Sequence, residues 1–259
     1  MGCFVVVIVF REVHKAFGEN KVLQGFSLDV NDGETIAIIG YSGSGKSVAL
    51  KHIVGLLEPD SGEVEVDGEL VHALDAAGLR ALRSKIGYVF QFAALFDSMS
   101  VADNIALGLR RQGLSEREIG HRIEESLALV DLAGSEEKFP IELSGGMRKR
   151  VGIARAIALR PQYILYDEPT TGLDPVTRAM MDELMIRVRE KLGVTGIAVT
   201  HDMKSAYAIA DRIAMLYHGR VRQVGTVDEI QRSHDSVVRQ FIEGRPEAAA
   251  DAGATQASL

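Results

Sequence analysis

The stretch Thr35-Ile36-Ala37-Ile38-Ile39-Gly40-Tyr41-Ser42-Gly43-Ser44-Gly45-Lys46-Ser47-Val48 decides the fold of this chain. Thr35 to Ile39 is a short apolar run, the mark of a strand buried on both faces. Lys46 to Leu57 reads as a helix, so a glycine-rich loop joins strand to helix. Gly40, Gly43 and Gly45 let the backbone curl until consecutive N–H groups point inward and cradle phosphate oxygens. Tyr41, Ser42, Ser44 and Val48 fill out the same nucleotide-binding segment. The helix beginning near Lys46 aims its positive end at the same place. Lys46 adds a charge for the β and γ phosphates, and the Ser47 hydroxyl can ligate magnesium. The Gly-x4-Gly-Lys-Ser pattern arises by chance in roughly one chain per hundred at average composition, which makes a mere flexible turn the weaker reading. The expected fold is α/β, built on a phosphate-loop nucleoside triphosphatase core.

Upstream, Val5 to Val13 and Val22 to Val30 read as an antiparallel pair about a turn near Phe17-Gly18-Glu19-Asn20. Asp67-Gly68 marks a hairpin between Glu63–Val66 and Glu69–Val71, and Ile86 to Phe90 is another strand. From Phe92 to Arg160 the pattern turns helical, which predicts an inserted lobe. The core resumes with strands Tyr163 to Tyr166 and Gly196 to Thr200, a helix over Arg178 to Leu192 and another after His201. A late hairpin surrounds His218-Gly219, and a last helix is predicted over Val227 to Ile242. One domain over residues 1–243 follows: 1–91 and 161–243 form the nucleotide-binding core, and 92–160 form the helical insertion. The Ala- and Gly-rich remainder, 244–259, reads as a flexible tail.

The 259 residues are 46% hydrophobic and 25% charged, the balance of an ordinary globular protein. A net charge of -7 gives no global basic footprint, so nucleic acid is not an expected partner. The single cysteine, Cys3, excludes an internal disulfide and a cysteine-built metal cluster. The apolar run Cys3 to Phe10 is far shorter than the about 20 residues that cross a bilayer, and it lacks the flanks of a signal peptide. Work at a membrane would require another chain as anchor.

Asp167 and Glu168 end the apolar strand Tyr163 to Tyr166, at the edge where α/β sheets bind ligands. Asp167 suits the outer sphere of a magnesium ion, and Glu168 suits orientation or deprotonation of an attacking water. A pair of acids capping the next helix is the alternative; their place after a phosphate loop favours catalysis. Leu143-Ser144-Gly145-Gly146-Met147 opens a helix running to Arg160, with Arg148, Lys149 and Arg150 in its first turn. Cations there oppose the helix dipole and invite a compensating anion, unless they form a solvated basic face.

These motifs, once each and in this order, resemble the ATP-binding cassette (ABC) ATPases over roughly Phe10 to Gly244. The resemblance implies a RecA-like core with an antiparallel β subdomain and an inserted α-helical subdomain. It implies ATP hydrolysis with ATP and Mg2+ as cofactors. It also implies a head-to-tail homodimer in which Ser144, Gly145 and Gly146 of one copy close over ATP held by the other. Gln91 then resembles the glutamine that senses magnesium and water, and His201 the switch histidine at the γ phosphate. Asp174 resembles a dimer-loop contact. Phe17 resembles the adenine-stacking aromatic, with Phe10 a rival whose strand position suits the core. Taken alone, Gln91 is polar surface, His201 a structural histidine, and Asp174 a helix cap before Pro175.

Three segments narrow the resemblance. They are Phe90-Gln91-Phe92-Ala93-Ala94-Leu95-Phe96-Asp97-Ser98-Met99, the signature Leu143 to Arg150, and Gln240-Phe241-Ile242-Glu243-Gly244. Met147 stands where most cassettes carry glutamine. Together they resemble the ATPases of the Mla phospholipid and Mce-type lipid transport systems. That implies a peripheral ATPase on the cytoplasmic face of a bacterial inner membrane, driving phospholipid movement between inner and outer membranes. Integral permease subunits and a periplasmic lipid-binding protein are the implied partners. Some of Phe92, Leu95, Phe96 and Met99 are expected in the core, the rest where a permease helix inserts. An importer of another small solute and a soluble SufC-like assembly ATPase are the alternatives. A phosphate-loop kinase would leave the Ser-Gly-Gly helix unexplained.

Overall fold

The computed structural model describes residues 5–245. The expectations for Cys3 and for 246–259 of the tail lie outside the described residues. Alternating apolar side chains set the first layer: Ile8 and Phe10 of β1 (Val6–Phe17) and Phe26, Leu28 and Val30 of β2 (Asn20–Asn31) turn inward. Phe10 meets Phe26 edge to face at 4.9 Å. β3 (Thr35–Ile39) is buried along its whole length and leads through the glycine loop into α1 (Lys46–Ile53). β4 (Ser61–Val66) and β5 (Glu69–Leu70) flank Asp67 and Gly68, both with positive φ as a tight hairpin needs. These strands form an antiparallel sheet in the order β2-β1-β4-β5.

α2 (Ala76–Ser84) then leads to β6 (Ile86–Val89). Three helices follow before the next strand: α3 (Val101–Arg111), α4 (Glu116–Leu129) and α5 (Gly145–Ala158). β7 (Tyr163–Asp167), α6 (Pro175–Leu192), β8 (Thr195–Thr200) and α7 (Met203–Ile209) return the chain to the core. β9 (Arg212–Tyr217) and β10 (Arg220–Thr226) make the late hairpin, and α8 (Val227–Gln231) and α9 (Ser236–Ile242) close the described chain. The second sheet runs β10-β9-β3-β8-β7-β6, parallel except for β10. One face of it packs Ile36, Ile38, Leu165 and Val199 against the first sheet and α1. The other packs Ile164, Tyr166 and Ala198 against α3 to α6, while Ala37, Ile39 and Met215 meet α7 to α9.

Several boundaries differ from the sequence reading. β1 continues to Phe17, so Phe17 ends a strand instead of sitting in a loop. α1 stops at Ile53, because Gly55 has φ +61 with the Leu79 side chain 2.6 Å from where its Cβ would lie. α2 lies where the sequence reading places no element; Asp75 caps it by accepting from the N–H groups of Ala77 and Gly78. The predicted helix Val227 to Ile242 is two helices, since the Asp235 carboxylate starts α9 anew on the N–H groups of Val237 and Val238.

Candidate active site

Four adjacent parallel strands end together. Ile39 lies beside Thr200, Asp167 beside Val199, and Val89 beside Tyr166, so Gly40, His201, Glu168 and Gln91 follow their strands at one edge of the sheet. Gly40 has φ +156, and a Cβ on it would lie 2.4 Å from the Leu216 carbonyl oxygen. Gly45 has φ +103 and caps α1, with Val22 Cγ1 2.9 Å from its absent Cβ. Both positions require glycine.

Lys46 is buried, and its Nζ donates to the carbonyls of Gly40 at 2.9 Å and Tyr41 at 3.0 Å. It stands 4.0 Å from Glu168 Oε1. Burial pushes the ammonium below its ordinary pKa, and the Glu168 and Asp167 carboxylates oppose that shift. Ser47 Oγ donates to Asp167 Oδ1 at 2.6 Å, and the Tyr88 hydroxyl of β6 donates to Oδ2 at 3.0 Å. Burial and then the Asp167 charge push the Tyr88 phenol far up, which keeps it a donor. Glu168 has φ +50, a left-handed conformation that costs a non-glycine residue about 1–3 kcal/mol. Its N–H donates to the Val199 carbonyl at 3.0 Å. Its Oε2 accepts from Thr171 Oγ1 at 2.9 Å and lies 2.9 Å from His201 Nδ1.

A cleft of about 840 Å³ gathers Tyr41, Ser42, Gly43, Gly45 and Lys46. Ser47, Val48, Phe17, Gln91, Glu168 and His201 complete its predicted lining. Phe17 is half exposed there, whereas the rival Phe10 is core. Gly40, Ser44 and Asp167 lie outside its surface; Asp167 reaches it through Ser47. Sequence reasoning missed Tyr88 and Thr171, and also Val22, Phe241, Gly244 and Arg245 in the lining. The Phe241 ring meets Tyr41 edge-on at 5.0 Å, a contact between distant parts of the chain that no local pattern announces.

Ser144, Gly145, Gly146 and Asp174 do not line this cleft. Ser144 caps α5, accepting from Met147 N at 3.3 Å, and Asp174 caps α6, accepting from Val176 N at 3.0 Å and Thr177 N at 3.1 Å. Both are exposed. Each of the three cations in the α5 first turn meets a carbonyl of its own chain. Arg148 donates to the Leu143 carbonyl at 2.7 Å, Lys149 to Pro169 at 2.9 Å, and Arg150 to Val130 at 3.3 Å.

Among the described residues no cluster of three or more His, Cys, Asp or Glu is poised for a metal. The hydroxyl of Ser47, the carboxylate of Asp167 and the amide of Gln91 are hard oxygen donors, the set that suits magnesium when phosphate and water supply the remaining ligands. No helix among the described residues is long and apolar enough to cross a membrane.

A family model described as ABC transporter matches residues 23–171. The chain is 41% identical over 241 residues to the probable ribonucleotide transport ATP-binding protein mkl of Mycobacterium leprae, covering 93% of this chain and 70% of that one. It is 43% identical over 243 residues to the sulfate/thiosulfate import ATP-binding protein CysA of Caulobacter vibrioides, covering 92% and 69%. The chloroplastic protein trigalactosyldiacylglycerol 3 of Arabidopsis thaliana is 39% identical over 260 residues, covering 92% and 74%. Among solved structures, a dimeric ATP-binding cassette in a post-hydrolysis state with ADP and Pi superposes with a TM-score of 0.78. It is 34% identical and covers 85% of this chain and 98% of that one.

Proposed function

This chain belongs to the ABC transporter family as an ATP-hydrolysing subunit, and from that premise we propose that two copies pair head to tail around two shared ATP sites. One observation carries the pairing. The cleft with Lys46, Glu168 and His201 lacks the Ser-Gly-Gly helix start, which stands exposed elsewhere on the same chain with Asp174. In the pair, Ser144 and the Gly146 N–H of one copy reach the γ phosphate held by the other, and Asp174 contacts the partner. We read 1–91 with 161–243 as the core and 92–160 as a lobe that swings with closure.

Within each cleft the loop amides from Gly40 to Ser47 and the Lys46 ammonium hold the β and γ phosphates, and Phe17 stacks on adenine. Mg2+, held by Ser47 and Gln91 with Asp167 in its outer sphere, would supply charge neutralisation for the phosphates. Tyr88 keeps Asp167 oriented for that task. Glu168 accepts a proton from the attacking water as the water oxygen bonds to the γ phosphorus and the bond to the bridging oxygen breaks. His201, with Nδ1 against Glu168 Oε2, aligns that carboxylate and leaves Nε2 for the γ phosphate. Glu168→Gln is expected to bind ATP, trap the closed pair and lose turnover. Normal hydrolysis by that variant refutes the assigned base.

For cargo we propose phospholipid, passed through a membrane permease and a periplasmic lipid-binding partner, with this chain peripheral at the cytoplasmic face of the inner membrane. Phe90 to Met99, Met147 and the Gln240 to Gly244 segment support this reading, as does a relative bearing a galactolipid's name. The relatives named for ribonucleotide and sulfate favour a second reading, import of another small solute.

A further inference from the structure

Three buried polar side chains with no assigned role join the segments that carry Glu168 and His201. Ser205 of α7 donates to Asp182 Oδ2 of α6 at 3.0 Å, and the Ser205 and Thr170 hydroxyls lie 3.4 Å apart. Thr170, Asp182 and Ser205 are 2%, 7% and 1% exposed. A serine hydroxyl has one proton; with that proton on the carboxylate, Thr170 is the donor to Ser205. A second tie runs beside the first. Arg178, one turn before Asp182, pairs with Asp202 Oδ2 at 2.7 Å, and Asp202 caps α7 on the N–H groups of Lys204 and Ser205. Thr170 follows Glu168 after a single proline, and Asp202 adjoins His201.

An apolar side chain would suit this place better for packing alone. Met181, Leu184 and Met185 of the core flank Asp182, and its Oδ1 has no hydrogen-bond partner among the described residues. Burial raises its carboxyl to about 6, with the Ser205 bond and Arg178 opposing that shift and Asp202 adding to it. A buried acid that burdens the fold, yet bridges two reacting segments, is explained by placement.

We propose that Asp182 is a positioning residue for ATP hydrolysis: through Ser205 and Thr170 it fixes the backbone segments that bring Glu168 and His201 to their 2.9 Å contact. This rests on reading Glu168 as the base.

The test is steady-state ATP hydrolysis by the full chain carrying Asp182→Ala, Ser205→Ala, both together, or Asp182→Asn, with Glu168→Gln alongside. Asp182→Ala and Ser205→Ala are each expected to lower kcat about 10-fold or more while KM for ATP stays within about twofold. The double variant falls no further than Asp182→Ala, since both changes cut one chain of hydrogen bonds. Asp182→Asn, whose amide oxygen still accepts from Ser205, recovers kcat to within about threefold of the native chain. Full kcat in a folded Ser205→Ala, additive losses, or a loss carried by KM overturns the proposal. If Asp182→Ala fails to fold, Ser205→Ala and Asp182→Asn decide it by the same criteria. Normal turnover by Glu168→Gln sinks instead the base assignment on which the network's role depends.

Discussion

Phe10 and Phe17 share β1 but stand in different solvents. Phe10 is sealed against Phe26 between the sheets, while Phe17 is half exposed at the cleft with Lys15 Nζ 5.8 Å from its ring centre. Their truncations should therefore separate. Phe10→Ala is expected to lose about 3–5 kcal/mol of stability, with the folded fraction binding ATP as before. Phe17→Ala should leave the melting temperature nearly unchanged and raise the Kd for ATP about tenfold, within the about 1–3 kcal/mol that base stacking contributes. Isothermal titration and thermal melts on both variants check this; an unchanged Kd in Phe17→Ala would release that residue from the adenine role. At this scale the sequence was most readable where chemistry is local. Gly40 to Ser47, Gln91, Glu168 and His201 follow strand ends, and a short motif places each of them. Tyr88, Phe241 and Asp182 could not be read, because each acts through a partner distant in the chain: Asp167, Tyr41 and Ser205.

Helix starts carry much of the site, and their caps do double service. Ser144 satisfies the Met147 N–H of α5, yet it is also the residue proposed to meet a neighbour's phosphate. Aspartate separates the two tasks, since it caps a helix as well as serine does but puts an anion where the phosphate must come. Ser144→Asp is expected to keep stability within about 0.5 kcal/mol of the native chain. Turnover should fall roughly 100-fold or more, as when an oxyanion donor is removed elsewhere. A thermal melt beside a turnover assay measures both, and an active Ser144→Asp chain would leave the cap as its sole role. α5 does further work on the segment after Gln91. Ala93 and Ala94 both have positive φ, and the Arg155 guanidinium holds their carbonyls at 2.7 and 2.6 Å. Asn104 of α3, fully buried, shares the two protons of its Nδ2 among the carbonyls of Phe96, Met99 and Ser100 just beyond. Neither clamp is visible in periodicity, which reports which face of a helix is apolar and not which carbonyls a long side chain will reach. The same limit explains α8 and α9. Apolar pairs at either end of Val227 to Ile242 suggest one helix, but the polar run Gln231 to Ser236 breaks their spacing, and the Asp235 cap, a hydrogen bond to its own chain, starts α9 anew.

On the molecule as a whole, the two most exposed large apolar side chains among the described residues lie near where α3 to α5 join the sheet. Phe92 and Ile141 are 84% and 88% exposed, and Phe96 and Phe139 are each about half exposed. The bonds from Val101 N to the Lys138 carbonyl and from Ala102 N to the Glu136 carbonyl bind the two segments into one region. Of the four residues weighed from sequence, Leu95 and Met99 are partly covered while Phe92 and Phe96 face outward, so the segment splits between core and surface. Exposed apolar side chains on neighbouring segments suit a docking site, and a permease helix is the occupant proposed for it. Placing a charge at its centre should sever docking without touching the cleft. Phe92→Asp and Phe96→Asp are expected to hydrolyse ATP as the isolated native chain does, yet to recover no integral membrane protein when purified from detergent-solubilised membranes. The native chain purified in parallel should recover such a protein, and a chloroform extract of that complex should contain phospholipid. Equal recovery by the Phe92→Asp chain would move the docking site elsewhere. A native complex free of phospholipid but stimulated in turnover by sulfate or a ribonucleotide would transfer the cargo to the small-solute reading, since an acyl-chain carrier and an anion importer load their shared ATPase through different membrane partners.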